Sequence, residues 1–440
     1  MNRRITLLLL LLAAAMLISG CAVLTVDEMY TPPKRSAEYQ DLQNAIDAAM
    51  PGLEYRAPLS GENQQTVQMA DLNGDGEEEY LLFAGGSSEM PLKILIFTRT
   101  EEGCQLKETI ESGGVAFELV EYVDIDGKPG VELVVGRQVS DKVLRSLSVY
   151  TFSGGSAQQL MTANYSKFVT CDLDENGFSE VMVISQDTAV TDRAAAALYS
   201  YSEGGEMVRS REVPLSGSAD HIKRIMEGDL LGDVPAVYVA SSVEERAIIT
   251  DIFAMKNGRF TNVSLSSESG TSVQTLRNYY VYAVDFDNDG VLELPSLITM
   301  VSEEGGAATE HLIRWYAMDA AGREVDRMYS FHNFAGGWYL ELNADWAHRV
   351  TVTQEGSTYR FSLWDEQFQK TKDLMTVYVL TGSARESAAV QDERFLLYRG
   401  DEVLYAAELE AAAADCGITK ESMVYSFHLI HKDWKTGETE

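Results

Sequence analysis

The chain has 440 residues, of which 68 are acidic, 35 are basic and 45% are apolar, so its formal net charge is −33. This length and apolar content allow a sizeable hydrophobic core, in one large repeat domain or two ordinary domains. The negative charge disfavours binding to nucleic acid and to anionic lipid headgroups, because both repel an acidic surface. With only four cysteines, the chain does not have the composition of a disulfide scaffold.

Residues 1–20 have the pattern of a secretory signal peptide. Arg3 and Arg4 precede an apolar run that ends at Ile18, and the run is shorter than the roughly 20 residues that a transmembrane helix needs. The next residues, Ser19-Gly20-Cys21, resemble the end of a bacterial lipobox, in which the cysteine receives diacylglycerol before cleavage. The resemblance implies that Cys21 becomes a lipidated N-terminus on the extracytoplasmic face of the cell membrane. An uncleaved transmembrane anchor is the alternative.

Two short segments precede the main fold. Residues 21–35 are predicted to be an extended tether between the lipid and the fold. Residues 36–50 are predicted to be a helix, because Leu42, Ile46 and Met50 recur on one helical face.

A nine-residue motif rich in Asp and Gly recurs through most of the chain at intervals of 48 to 57 residues. Short runs of β-branched and aromatic residues flank each copy and predict strands, and a predicted hairpin follows. We number the copies loops 1 to 6; they begin at Asp71, Asp124, Asp172, Asp229, Asp285 and, in a degraded form, Glu341.

Four strands in about fifty residues is the size of a β-propeller blade. We therefore predict an all-β fold over residues 51–407, a six- to seven-bladed β-propeller with four-stranded blades and calcium-binding loops between strands. The short N-terminal helix precedes it, and a small C-terminal helix lies in the helical or irregular segment 408–440. A row of separate β-sandwich modules is the alternative, but fifty residues is small for a sandwich with its own core.

Three finer predictions concern the edges of this array. A strand is expected over residues 279–284, before loop 5. Residues 375–405 are expected to form a degraded seventh blade. Residues 53–56 could supply the strand that closes the ring, since propellers commonly borrow one from the other terminus.

Loops 1, 3 and 5 have the donor pattern of a calcium site. Side-chain oxygens stand at positions 1, 3 and 5, Gly follows at 6, position 7 offers its carbonyl and an acid returns at 9. Calcium takes about six to eight oxygen ligands, which this spacing supplies around one tight turn. The predicted ligands are Asp71, Asn73, Asp75, Glu77 and Glu79 in loop 1, Asp172, Asp174, Asn176, Phe178 and Glu180 in loop 3, and Asp285, Asp287, Asp289, Val291 and Glu293 in loop 5.

The remaining loops lack this pattern. Loop 2 has Lys128 at position 5, loop 4 has Leu231 at position 3, and loop 6 has Arg349 at position 9. These three are expected to be turns without metal, which Asp, Asn and Gly also favour on their own. An EF-hand is excluded for the intact loops, because it needs a bidentate Glu at position 12 on a following helix. Leu82, Val183 and Ser296 stand there instead.

The nine-residue loop between two strands resembles the integrin-type FG-GAP or VCBS repeat over roughly residues 65–350. The resemblance is strong at loops 1, 3 and 5 and weak elsewhere. The resemblance implies a calcium-stabilised propeller, and with Cys21 it is similar to FG-GAP or VCBS repeat lipoproteins of Gram-positive bacteria.

Other motifs give weaker signals. The chain has no Gly-x-Ser-x-Gly, His-Glu-x-x-His or Walker motif. The pair His428 and His431 lacks a third zinc ligand, and Arg399-Gly400-Asp401 is interpreted as a hairpin turn. The aromatic cluster around Trp315 and Trp338 favours core packing over a sugar-stacking platform.

These observations predict a monomeric, lipid-anchored surface module that binds a protein or a glycan, with calcium as a structural cofactor, and not an enzyme. A polysaccharide lyase or hydrolase built on an FG-GAP-like propeller is the alternative, because a carboxylate pair is easily hidden among so many acids.

Overall fold

The computed structural model describes residues 37–139, 145–185, 194–217, 219–301, 307–365, 367 and 370–430. The described residues are mostly in antiparallel strands, and these strands form six sheets of four or five strands each. This agrees with the all-β prediction. The predicted signal peptide, the lipidation site Cys21, the tether and His431 lie outside the described residues.

The first four sheets follow one another along the chain. Sheet 1 contains β1 (Glu54–Tyr55), β2 (Val67–Ala70), β3 (Glu79–Gly85), β4 (Leu92–Thr100) and β5 (Gly103–Ser112). Sheet 2 contains β6 (Ala116–Val123), β7 (Glu132–Gln138), β8 (Arg145–Thr151) and β9 (Gln158–Tyr165). Sheet 3 contains β10 (Lys167–Cys171), β11 (Glu180–Ser185), β12 (Ala195–Tyr201), β13 (Met207–Arg209) and β14 (Val213–Pro214). Sheet 4 contains β15 (Ile222–Leu230), β16 (Val234–Val243), β17 (Ala247–Lys256) and β18 (Arg259–Asn262). Neighbours in sequence pair within each sheet, except that β1 and β2 share one edge of β3 and β14 pairs with β12.

The last two sheets recruit strands from the C-terminal part of the chain. Sheet 5 has the order β19 (Leu294–Val301), β20 (Ala307–Met318), β21 (Glu324–Asn333), β22 (Trp338–Leu342) and β28 (Phe427–Leu429). Sheet 6 has the order β23 (Val350–Glu355), β24 (Thr358–Asp365), β25 (Lys370–Thr381), β27 (Val403–Leu409) and β26 (Phe395–Arg399).

Four α-helices and two 3-10 helices complete the described residues. They are α1 (Ala37–Ala49), α2 (Ala344–Ala347), α3 (Arg385–Ala389) and α4 (Lys420–Ser426), with 3-10 helices at Val273–Thr275 and Ala411–Cys416. Helix α1 lies within the predicted range 36–50. None of the described helices is both long and apolar enough to span a membrane.

Consecutive sheets pack face to face through apolar side chains. Because successive strand residues point to opposite faces, β3 sends Leu81 and Phe83 towards Phe117 of sheet 2, and Leu82 towards Ile46 of α1. Similar apolar clusters join sheets 2 and 3, 3 and 4, 4 and 5, and 5 and 6. The strand that follows each of loops 1, 2 and 3 is therefore covered on both faces, which holds the end of that loop rigidly.

The two ends of the array are covered by helices. Helix α1 covers the outer face of sheet 1, and Ala389 of α3 packs on Leu404 and Ala406 on the opposite face of sheet 6 from sheet 5. Among the described residues, no apolar cluster joins sheet 6 to sheet 1. The packing therefore runs continuously from the first sheet to the sixth, with a helix at each end.

Several predictions of single elements are wrong. Residues 279–284 form no strand and make a single antiparallel bridge, from Val284 to Glu293. The proposed seventh blade at 375–405 belongs to sheet 6, because β25 pairs with both β24 and β27. Residues 53–56 pair with β3 through β1, so they extend sheet 1 and do not close a ring.

Loop 6 also differs from its prediction, which was a turn. It forms the short helix α2 between sheets 5 and 6, capped by Asn343, which accepts from the Asp345 amide at 2.8 Å. The motif at this position has no glycine, so a helical turn replaces the tight loop. At the C-terminus, the Ala-rich run from Glu408 to Cys416 predicts a helix that stops at Gly417. Instead, Glu408 lies in β27, and Ala411–Cys416 form a 3-10 helix followed by Gly417 in the left-handed region. Helix α4 follows this 3-10 helix within the predicted segment 408–440, and β28 follows α4.

Three side-chain predictions can be compared directly with the structure. Trp315 and Trp338 are fully buried, so they belong to the core and offer no sugar-stacking surface. The Arg399-Gly400-Asp401 segment is the hairpin turn between β26 and β27, where the Gly400 amide donates to the Val403 carbonyl at 2.9 Å. His428 lies in β28 with its Nε2 2.8 Å from Glu341 Oε1.

The three cysteines among the described residues, Cys104, Cys171 and Cys416, are free thiols.

Candidate metal centres

The Asp-rich loops stand at one edge of their sheets. Loop 1 connects β2 and β3, loop 2 connects β6 and β7, loop 3 connects β10 and β11, and loop 5 leads directly into β19. The glycines at position 6, Gly76, Gly177 and Gly290, have φ values of 88°, 87° and 88°. Only glycine adopts this backbone without strain. The tight turn that the motif predicts is therefore present in all three intact loops.

The first Asp of each intact loop organises this turn. Its Oδ2 accepts a hydrogen bond from the amide of the glycine at position 6, at 3.0 Å in loop 1, 2.9 Å in loop 3 and 3.0 Å in loop 5. The carboxylates of Asp71, Asp172 and Asp285 are thus turned inward over the loop backbone. In loops 3 and 5 the carboxylates of further loop residues converge with that of the first Asp.

The Glu at position 9 closes each loop from the strand side. Glu79, Glu132, Glu180 and Glu293 are 2% or 3% exposed. The Oε2 of each accepts from the backbone amide at position 2, over distances of 3.1, 2.8, 2.9 and 3.2 Å. Burial raises the pKa of all four carboxyls, and the same amide hydrogen bond lowers it in part. Each loop therefore holds a buried acid whose charge would be stabilised by a cation.

Loop 3 brings three acids together. Carboxylate oxygens of Asp172, Asp174 and Glu180 lie within 4.8 Å of one another. Burial and the two neighbouring aspartates raise the pKa of Glu180 to about 7. Of the other predicted ligands, Asn176 turns its Oδ1 to the amide of Phe178 at 2.8 Å. The loop is a compact group of oxygen donors with unbalanced negative charge.

Loop 5 also gathers three acids, but in a different combination. Oxygens of Asp285, Asp287 and Asp289 lie within 4.8 Å of one another. Glu293 stays outside this group; its Oε1 is buried without a hydrogen-bond donor, and Arg327 Nε lies 3.7 Å away. Burial raises the pKa of Glu293 to about 7.

Arg327 also reaches the acid cluster of loop 5 itself. Its Nη2 donates to Asp289 Oδ2 at 2.9 Å, and the Val291 amide donates to Asp289 Oδ1 at 2.9 Å. Both oxygens of Asp289 are therefore engaged. Asp285, Asp287 and the orphaned oxygen of Glu293 remain the donors with the most to gain from a cation.

Loop 1 does not form such a cluster, although its sequence pattern is intact. Asn73 donates from Nδ2 to Glu79 Oε1 at 2.5 Å and accepts from the Asp75 amide at 2.9 Å. Asp75 in turn accepts from the Glu77 amide at 2.8 Å. The amide of Asn73 thus stands in the place of a cation beside Glu79, and both carboxylate oxygens of Asp71 accept from backbone amides, those of Gly74 and Gly76.

Loop 2 gathers acids although it was expected to be a plain turn. Oxygens of Asp124, Asp126 and Glu132 lie within 4.8 Å of one another. Lys128, the residue that argued against a metal, places Nζ 2.8 Å from Asp126 Oδ2 and 2.9 Å from the Tyr201 hydroxyl. The signal in the sequence was the retention of acids at positions 1, 3 and 9. The chain supplies its own cation at this loop.

Loop 4 is a tight turn between β15 and β16, as expected. Gly232 and Asp233 have φ values of 87° and 56°. Asp229 belongs to β15, and Val237, in place of the acid at position 9, pairs in β16 with Glu227.

We predict that the metal-free protein loses stability as the pH rises from about 5 to about 8. The pKa of Glu180 is raised from 4.5 to about 7 in the folded state, and that of Glu293 from 4.5 to about 7. Between these values the unfolded chain is ionised while the folded chain holds the proton, so deprotonation favours unfolding. Scanning calorimetry in chelator should show a falling melting temperature, and Glu180→Gln with Glu293→Gln should flatten the profile. An unchanged profile in the double variant would contradict this assignment.

No protein-family model matches the chain, and no curated protein matches its sequence. Solved structures give distant similarities. The rhamnogalacturonan lyase PL11 of Bacillus licheniformis is 10% identical over 74% of this chain and 81% of that one, with a TM-score of 0.31. The rhamnogalacturonan lyase YesW is 12% identical over 83% and 90%, with a TM-score of 0.29. A protein from Lactobacillus plantarum is 10% identical over 72% and 86%, with a TM-score of 0.26. TM-scores of this size support no inference about the activity of this chain.

Proposed function

We propose that this protein is a lipid-anchored, extracytoplasmic binding module, in which calcium stabilises the Asp-rich loops of a propeller and the exposed surface binds a protein or a glycan. The observation that carries the proposal is the recurrence of oxygen-donor clusters directly before a strand in three of the six sheets, in loops 2, 3 and 5. Such repetition is expected of a structural device used once per blade and not of a single catalytic centre.

Calcium suits the donor chemistry of loops 3 and 5. Every side chain in the two clusters offers oxygen, with no nitrogen or sulfur ligand, and hard cations prefer this set. The buried Oε1 of Glu293 has no hydrogen-bond donor, which fits an absent cation. A bound ion would neutralise the crowded carboxylates of each loop and fix the loop on its strand. Loops 1 and 2 satisfy their acids internally, so we place calcium at loops 3 and 5.

The propeller arrangement is part of the proposal. Residues from the first strands of sheets 2, 3 and 4 (β6, β10 and β15) line one cavity, as blades around a shared axis would place them. We propose six blades, one for each described sheet. Helix α1 covers sheet 1 and helix α3 covers sheet 6, on the faces that a closed ring would bring together. A closed ring would therefore have both helices packed between sheets 6 and 1.

We predict that replacing Cys21 by Ser releases the protein from the membrane. Lipidation at this cysteine would supply the acyl chains, and the net negative charge of the protein disfavours binding to anionic lipid in their place. Cell fractionation should find the variant in the medium and the wild type in the membrane. Retention of the variant in the membrane fraction would show that the apolar segment itself is the anchor.

We predict binding without turnover when the calcium-loaded protein is screened on glycan and cell-surface protein arrays. The enzyme alternative needs a base in a polar pocket. Tyr165 stays protonated at neutral pH and is not available as a base, because burial and its hydrogen bond to Glu118 at 2.8 Å both raise its pKa. Incubation with acidic polysaccharides should therefore yield neither unsaturated uronates nor new reducing ends. Either product would establish the lyase or hydrolase instead.

A further inference from the structure

A cavity of about 470 Å³ lies where the first strands of sheets 2, 3 and 4 meet. This volume is within the usual range for small-molecule sites, about 300 to 1,000 Å³. Strand β6 contributes Glu118, β10 contributes Lys167, and β15 contributes residues 222–225. Because these residues belong to strands of three packed sheets, the relative positions of their side chains are set by the packing of the core and not by a loop.

The charge of the cavity is opposite to that of the protein. Lys167, Lys223 and Arg224 line it, although the chain has 68 acidic and only 35 basic residues. Lys167 and Lys223 make no ion pair with any residue that the structure describes. Arg224 lies over the ring of Tyr282, 5.3 Å from its centre. A cavity with an excess of positive charge attracts anionic ligands.

The carboxylate of the cavity is already neutralised. Glu118 Oε2 accepts from Arg145 Nε at 2.8 Å and from the Tyr165 hydroxyl at 2.8 Å. Arg145 is itself tied down, since its Nη1 donates to the Ser166 carbonyl at 3.1 Å. The charges of Lys167 and Lys223 are consequently left uncompensated by protein groups.

The walls combine apolar and hydroxyl groups around these cations. Leu119, Phe168, Ile222 and Ile225 line the cavity together with Ser60. A sugar ring presents C–H faces that pack on apolar side chains and hydroxyls that hydrogen-bond, so this lining suits a saccharide body. The net negative charge of the protein disfavours densely charged anionic polymers such as nucleic acid.

We infer that this cavity binds a saccharide that bears a carboxylate, with Lys167 and Lys223 pairing with the acid group. This inference rests on the proposed role as a binding module and names the site and the class of ligand. Lysine is a compact point charge on a flexible stem, which suits a carboxylate that projects from a sugar ring.

The test compares a galacturonic acid trisaccharide with the neutral galactose trisaccharide by titration calorimetry, with the full-length protein in calcium. The acidic trisaccharide should bind, with an affinity that falls with added salt, and the neutral one at least about tenfold more weakly. Lys167→Gln and Lys223→Gln should each weaken binding about tenfold, the value of one charge-assisted contact. Lys256→Gln, at the end of β17 and outside the cavity lining, is the matched control and should bind like the wild type.

Two results would overturn the inference. One is unchanged binding in the Lys167→Gln, Lys223→Gln double variant with an unchanged melting temperature. The other is inorganic phosphate displacing the trisaccharide at equal concentration, which would mark a site for simple anions. If the trisaccharide does not bind while array binding persists, this site alone is refuted. If neither is seen, the proposed binding function fails as well.

Discussion

Chelation of calcium is expected to lower the melting temperature of the protein by several degrees. A ligand present at a hundred times its dissociation constant stabilises the native state by about 2.7 kcal/mol per site. For a chain of this length the same free energy corresponds to about 3 °C per site, because the entropy of unfolding scales with size. The clusters of Asp172, Asp174 and Glu180 and of Asp285, Asp287 and Asp289 make loops 3 and 5 the two sites concerned. Differential scanning calorimetry in calcium and in chelator measures the difference.

Single substitutions can assign the effect to a loop. Asp174→Asn and Asp287→Asn should each remove about half of the calcium-dependent rise. In chelator the same variants should be no less stable than the wild type, since each removes a like-charge repulsion. Asp126→Asn in loop 2 is the matched control, because Lys128 already neutralises that carboxylate at 2.8 Å. Equal melting temperatures with and without calcium in the wild type would eliminate the structural metal.

The substitution Asp251→Ala is expected to lower the free energy of unfolding by about 3 to 5 kcal/mol. Asp251 is fully buried in β17. Its carboxylate accepts from the Ser216 amide at 2.9 Å, the Ser216 hydroxyl at 2.8 Å, Asn262 Nδ2 at 2.9 Å and the Ser272 hydroxyl at 2.6 Å. Ser216 belongs to the connection from sheet 3 to sheet 4, so this one carboxylate ties that connection to the middle of sheet 4. Truncation leaves these donors buried and unpaired.

Urea denaturation followed by circular dichroism would measure this loss as a lower midpoint. Asp251→Asn keeps one acceptor oxygen and should lose less than Asp251→Ala. Asp401→Ala, at an exposed hairpin tip, serves as the surface control and should leave the midpoint within experimental error. A midpoint for Asp251→Ala equal to that of the control would mean that the network contributes no net stability.

The strands after loops 1 to 5 were predictable because they depend on local signals, the runs of β-branched residues and the turn residues before them. A run of β-branched residues such as Val181 to Ile184 favours extended backbone wherever it lies. The glycine at position 6 requires the left-handed region found at Gly76, Gly177 and Gly290. The same reasoning failed at residues 279–284, where Val281 and Tyr282 are buried but the segment packs as irregular chain beside sheets 4 and 5.

The sequence did not predict which strands pair in the same sheet. Residues 375–405 have the composition of a further blade, yet β25 and β27 pair into sheet 6. In the same way β28, more than eighty residues after β22, becomes the edge strand of sheet 5. Pairing is decided by which exposed edge and which apolar face are available once the other sheets have packed, and neither is encoded within a strand.

For the candidate sites, the sequence by itself determined which loops carry oxygen donors, and the signal peptide and lipobox stay predictions from the sequence alone. The tertiary structure decided which donors converge. In loop 1, Asn73 donates a hydrogen bond to Glu79, which would otherwise be a metal ligand. In loop 2, Lys128 pairs with Asp126, and in loop 5, Arg327 of β21 pairs with Asp289. The reason is physical: a donor pattern is set by spacing along the chain, whereas its net charge depends on side chains that reach it through space. The basic cavity between sheets 2, 3 and 4 has the same origin, since its lysines are more than fifty residues apart in sequence and meet only in the folded core.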